Sequence, residues 1–200
     1  MDVLISSIFQ VSVFSFIPFI WWLITDRKTQ NFFTWIGLEK PIIKGSLKRF
    51  ILIILTVLVS YSVIMAILMK LLLKDTETAT TQFVDKGWSV LVSILIYAII
   101  QTSLSEEILF RGFIGKRFIH HFGFTFGNTI QAILFGLLHG LPFGFVTGRW
   151  VVTVVFTLVP GVIGWIEGWI NEKYASGSII PSWSMHAIVN VLSALSLAFF

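Results

Sequence analysis

Two hundred residues with 56% hydrophobic and only 12% charged side chains, at a mean hydropathy of +0.91, exclude a soluble globular domain, in which about a quarter of residues are charged. The net charge of +4 comes from basic residues clustered at Arg27, Lys28, Lys40, Lys44, Lys48 and Arg49 and at Arg111, Lys116 and Arg117, a positive-inside pattern rather than a nucleic-acid footprint. With no cysteine in the chain, disulfides and thiolate chemistry are excluded.

The N-terminus lacks a basic n-region and a small-residue cleavage site, so residues 3–24 are expected to be a retained first span. Residues 29–49 are basic with an apolar stripe (Phe32, Phe33, Trp35, Ile36, Leu38), the pattern of a short segment lying on the cytoplasmic interface. Residues 50–73 form a second span, and the slightly acidic loop 74–86 is then external, which places both termini outside. Neither span carries an acid or histidine in its apolar run, so both read as scaffold. A third span starts near Trp88 and its apolar pattern runs on through Phe113 and Ile114, which predicts a long helix to about Lys116. Residues 120–123 make the turn, and the adjacent His120 and His121 read as solvated. A fourth span covers residues 124–145 and contains His139, with Gly136 and Gly140 open to a neighbouring helix. A fifth covers 151–169, with Gly164 and Gly168 as a contact face and Glu167 expected at the membrane interface. The last, 179–199, carries His186 and Asn190 four apart on one face.

The expected fold is therefore an all-α polytopic membrane protein of about six transmembrane helices. Residues 1–87 supply two spans and a basic loop. Residues 88–200 form the functional core, with the site between the C-terminal four helices.

Charges inside a bilayer-length segment cost about 2.5–3.5 kcal/mol each on insertion scales, so Glu106, Glu107 and Arg111 need partners. Glu107 and Arg111, four apart on a helix, can pair. Glu106 points about 100° away and is left for other work. His139, His186 and Asn190 each stand on a different span or share one face, without local partners, and buried polar groups must satisfy one another. Two chemistries fit. In one, Glu106 is the general base for a water that attacks an amide, His139 holds or polarises that water, and His186 and Asn190 donate to the oxyanion. In the other, Glu106, His139 and His186 bind a divalent metal such as zinc that carries the water. No HExxH spacing is present, and the reading that requires no cofactor is preferred.

Glu-Glu-x-x-x-Arg at 106–111, Phe-x-x-x-His at 135–139 and His-x-x-x-Asn at 186–190, in that order, resemble the CPBP family. Its members are the CAAX prenyl proteases and the bacteriocin-processing intramembrane peptidases, also called the Abi family. Arg111-Gly112 and the approach at 177–181 look similar too, and the likeness covers about residues 88–195. It implies a glutamate-dependent intramembrane endopeptidase, of a family often described as metalloproteases. Glu106 would activate water, Glu107 and Arg111 would organise the site, and His139, His186 and Asn190 would complete it. The short chain suits the branch linked to bacteriocin maturation and self-immunity. The implied setting is a cell membrane crossed several times. The implied partners are membrane lipid and a peptide or protein substrate such as a bacteriocin, with no nucleic acid. A non-catalytic immunity or binding protein on the same fold is the alternative. A proton-coupled transporter ranks third, because no repeated halves are found.

Overall fold

The computed structural model describes residues 2–74 and 76–199. Met1, Asp75 and Phe200 lie outside the described residues; Asp75 is one of the acids on which loop 74–86 reads as external. Six helices are long and apolar enough to cross a membrane. They are α1 (Asp2–Thr25), α3 (Leu47–Leu72), α4 (Gly87–Phe122), α5 (Phe124–Thr147), α6 (Trp150–Tyr174) and α7 (Ile180–Phe199). A one-turn helix, α2 (Phe32–Trp35), sits between the first two. No strand occurs among the described residues.

The third span is longer than expected. It passes Lys116 and ends at Phe122, where Gly123 turns the chain at φ 77°. As a plain α-helix its 36 residues would reach about 54 Å at 1.5 Å per residue, well beyond the roughly 30 Å of hydrocarbon. It is not plain. Residues Ile96–Leu104 and Ile108–Gly115 are wound as wider π turns, with a three-residue α island, Ser105–Glu107, between them. The wider turn puts more residues into each rotation, shortening the rod. It also changes which residues share a face. The Ser103 hydroxyl donates five residues back to the Ala98 carbonyl at 2.6 Å.

The segment at 29–49, expected to lie on the cytoplasmic interface, docks much of its apolar stripe on the bundle. Trp35 and Ile36 are buried and pack with Ile108, Phe113 and Leu104 of α4. The loop is then laced to the α6–α7 turn. Lys44 N donates to the Tyr174 carbonyl at 2.8 Å, and Ile179 N to the Gly37 carbonyl at 2.8 Å. The Ser178 hydroxyl donates to the Glu39 carbonyl at 2.6 Å. Two glycines permit this. Gly37 turns the chain at φ 78°, and a Cβ on Gly112 would meet the Ile36 carbonyl oxygen at 2.8 Å. The apolar stripe read as lipid-facing is in large part a protein contact; Phe33 alone of its five residues is exposed. Arg117 covers the Trp35 ring at 4.0 Å. The Trp35 indole donates to Asp26 Oδ2 at 2.9 Å. The Thr25 hydroxyl beside Asp26, helped by Trp35 and Arg117, holds that carboxyl below its usual range.

The α5–α6 pair is the tightest in the bundle, and the small residues explain it. A Cβ on Gly140 would meet Thr157 N at 2.7 Å, and one on Gly136 the Gly161 Cα at 3.2 Å. Gly164 faces Phe135 and Gly168 faces Asn128, as expected of a contact face. By contrast, α3 is apolar from Phe50 to Met69, and Phe50 is its only buried residue. It touches the bundle as one wall.

Candidate active site

The α island on α4 presents Glu106 and Glu107 inward, 8% and 0% exposed, with Arg111 4% exposed one turn later. The two adjacent acids have different surroundings. Glu107 is fully engaged. The Ser182 hydroxyl donates to its Oε2 at 2.5 Å, and His186 Nδ1 lies 3.3 Å from its Oε1. Arg111 Nη1 is 3.3 Å from the same Oε1. Glu106 Oε2 is buried with no hydrogen-bond partner among the described residues. It lies 3.7 Å from His139 Nε2 and 3.9 Å from His186 Nε2.

Each imidazole is oriented by its other nitrogen. His139 Nδ1 lies 2.9 Å from the Phe135 carbonyl of its own helix. A carbonyl only accepts, so Nδ1 carries the proton and Nε2 turns a lone pair towards Glu106. His186 Nδ1 is held by Glu107 in the same way, again leaving Nε2 for Glu106. Two oriented imidazoles therefore converge on one unpartnered carboxylate oxygen.

Glu107 and Arg111 do meet, as expected, but the pairing is incomplete. Arg111 Nη1 and Nε lack a hydrogen-bond partner among the described residues, so the Glu107 contact is a charge contact at a poor angle. The true hydrogen bond of Arg111 goes from Nη2 to Glu167 Oε2. Glu167 is buried, 4% exposed, not at the interface where its place near the end of a span suggested. The missed signal is its setting between Gly164 and Gly168, which puts the carboxylate on the face of α6 turned into the bundle. The guanidinium also stacks on Phe135 at 3.9 Å, a cation–π contact. Two further residues were missed. Ser182 lies four before His186 on the same face. Asn171 donates to the Ser182 hydroxyl at 2.7 Å, fixing it towards Glu107.

Of His139, His186 and Asn190, expected to lack local partners, only His139 bonds within its own helix; the other two are met by α4. Besides the two imidazole contacts, Asn190 Nδ2 donates to Thr102 Oγ1 at 2.9 Å and to Ser103 Oγ at 3.2 Å. Both amide hydrogens are spent tying α7 to the π-wound part of α4. All four residues nonetheless line one cavity of about 870 Å³. It runs from Glu106 along the C-terminal halves of α3, α5 and α7 to the Glu77–Thr80 part of the α3–α4 loop.

A tetrahedral zinc with bonds near 2.0 Å sets its ligand atoms about 3.3 Å apart. The Glu106–histidine separations of 3.7 and 3.9 Å are wider, and among the described residues no three acids or histidines stand as a metal-holding group. The donor chemistry suits such an ion, since both histidines have the oriented outer nitrogen of metal ligands. As placed, the donors do not close a metal shell.

A family model described as type II CAAX prenyl endopeptidase Rce1-like matches residues 87–192, a little over half of the chain. The chain belongs to the Rce1-like family. The match begins with the first residue of α4 and ends two residues after Asn190, so it contains every charged or imidazole group of the cavity except Glu77. Family membership makes the protein a membrane-embedded protease of the CAAX endopeptidase type. The parts outside the match, α1, the docked loop and α3, are those for which the motifs gave no reading. No curated protein and no solved structure matches the chain.

Proposed function

We propose that the chain is an intramembrane endopeptidase in which Glu106 activates a water for attack on a peptide bond. The observation that carries this is the buried, unpartnered Glu106 Oε2 facing two imidazole Nε2 atoms. A water held between Glu106 Oε2 and His139 Nε2 loses its proton to the carboxylate as its oxygen adds to the scissile carbonyl. His186, held at Nδ1 by Glu107 as the acid holds the histidine of a Ser-His-Asp triad, turns Nε2 to the oxyanion and stabilises it as an imidazolium. Glu106 then passes the proton to the leaving amine. Arg111 and Glu167 hold Glu107 in place. Asn190 reaches the oxyanion only by exchanging one of its bonds to Thr102 or Ser103, so its first role is to fix α7 against α4.

The substrate class is a peptide or prenylated-protein tail that reaches the cavity in a cell membrane, and bacteriocin processing or self-immunity is the biological setting. No cofactor is required on this reading. A second reading rests on charge. Glu106, Glu107 and Glu167 set three carboxylates against one guanidinium, a formal −2 with neutral imidazoles that a divalent cation such as zinc on Glu106, His139 and His186 would offset. Such an ion would polarise the carbonyl and acidify the water.

The test is cleavage of a quenched fluorescent, farnesylated CAAX-type peptide by the detergent-purified protein. Glu106→Gln keeps shape and removes the base, so turnover should vanish while the protein still folds. Full cleavage by the Glu106→Gln protein would sink Glu106 as the base, and full protection of cells by it without cleavage would leave a non-catalytic immunity protein. Chelators should leave turnover intact; loss on chelation restored by zinc would establish the second reading.

A further inference from the structure

We propose that Gln10 of α1 and Gln101 of α4 form the edge on which the substrate lays its peptide backbone, so that the first helix, outside the family match, supplies a substrate-binding residue. This rests on the peptidase function proposed above. The two amides form a short ladder across the α1–α4 contact. The Ser7 hydroxyl donates to Gln101 Oε1 at 3.3 Å. Gln101 Nε2 donates to Gln10 Oε1 at 3.4 Å, and Gln10 Nε2 to Ser105 Oγ at 3.3 Å. Each amide nitrogen has two hydrogens, and the ladder uses one of each. Its bonds are long beside the usual 2.9–3.0 Å, so the pair is poorly explained as glue alone.

Both amides line the cavity that holds Glu106, only partly buried, and their unused N–H groups and lone pairs are available there. The π winding sets Gln101, five residues before Glu106, on the same face of α4. The polar edge thus leads from the open part of the cavity to the base. Across from it, Leu58, Met65, Leu138 and Phe143 make an apolar wall. An extended peptide offers alternating N–H and C=O groups along one edge, which side-chain amides can match as a neighbouring strand would. The chemistry recognised is the backbone amide, whatever the side chains.

The experiment measures binding, not turnover, by fluorescence anisotropy of a labelled farnesylated CAAX-type peptide on the purified protein. A series of peptides replaces one backbone amide at a time by an ester, which deletes a single N–H. One ester near the scissile bond should weaken binding to the native protein about two- to tenfold, the share of one hydrogen bond. Gln10→Leu and Gln101→Leu should weaken the all-amide peptide by a similar factor and lose nothing further with that ester. Should the leucine variants fail to fold, Gln10→Asn, which keeps the amide but withdraws it by one methylene, takes their place. Native binding of every peptide by the variants, or losses that simply add to that of each ester, would overturn the proposal, as would no binding by the native protein. Binding without cleavage would sink the peptidase function and leave the backbone edge standing.

Discussion

Arg111→Leu is the most informative single perturbation of the core. Its guanidinium stands between two buried carboxylates, hydrogen-bonded to Glu167 and 3.3 Å from Glu107, and rests on the Phe135 ring. Leucine fills part of the volume but strands both acids among apolar helices. Breaking one buried pair costs about 3–5 kcal/mol, against a total stability of about 5–15 kcal/mol, so the variant should be severely destabilised. Glu167→Gln is the control. It leaves Arg111 and Glu107 matched one to one and keeps an acceptor for Nη2, so it should cost only about 1 kcal/mol. With Glu167 already neutral, Arg111→Leu strands one acid instead of two, and the double variant should be more stable than the two single losses summed. The assay is unfolding in mixed micelles followed by the fluorescence of the eight tryptophans. Losses that add to within about 0.5 kcal/mol, or an Arg111→Leu protein as stable as the native one, would refute the shared role of the guanidinium.

Ser182→Ala removes the hydroxyl that ties Glu107 to Asn171 and should cost about 1–3 kcal/mol for the unsatisfied buried groups; turnover should fall with little change in KM, because Glu107 then orients His186 less firmly. Unchanged kcat with lowered stability would make Ser182 structural alone. The Asp26 carboxyl is held below its usual value of 3.8, so it favours the folded loop above that pH, and the contribution is lost as pH falls through the lower folded value. Trp35 fluorescence, in a protein whose other tryptophans are phenylalanine, should therefore shift on acidification below about pH 4, and Asp26→Asn should abolish the shift. A shift that survives in Asp26→Asn would assign it elsewhere.

The sequence showed the six spans well because hydropathy reports the bilayer directly, and each observed span lies within a few residues of its expected limits except α4 and α6, which run on to Phe122 and Tyr174. The third span is expected to stop near Lys116 because its apolar pattern gives way there to Lys116, Arg117, His120 and His121, and π winding has no plain sequence signature. Glu106, Glu107, Arg111, His139, His186 and Asn190 were legible as intramembrane polar groups, and all but Arg111 and the enclosed Glu107 line one cavity. Their partners were not. Glu167 was misplaced because depth was counted along the chain from the end of an apolar run, whereas a glycine-lined face decides what turns inward. The loop at 29–49 was misread because an amphipathic stripe has the same pattern whether lipid or protein covers it. Gln10 and Gln101 went unweighed because uncharged amides barely disturb an apolar window.

The lacing of loop 37–44 to the turn at 174–179 has a mechanical consequence. Three chain segments are tied together at the basic end of the bundle by backbone hydrogen bonds and by Lys116 of α4, which reaches the Gly177 carbonyl at 2.7 Å. The last two turns of α3 are tied, by packing with Val152 and Phe156 and by Arg149 on the Leu72 carbonyl, but beyond Phe50 the helix has no buried residue where it runs beside the cavity. Local opening draws on regions with the fewest buried contacts, so compliance collects there. The molecule is built like a pair of tweezers, clasped at one end, with the spring in α3 and the jaws beneath the Glu77–Thr80 segment.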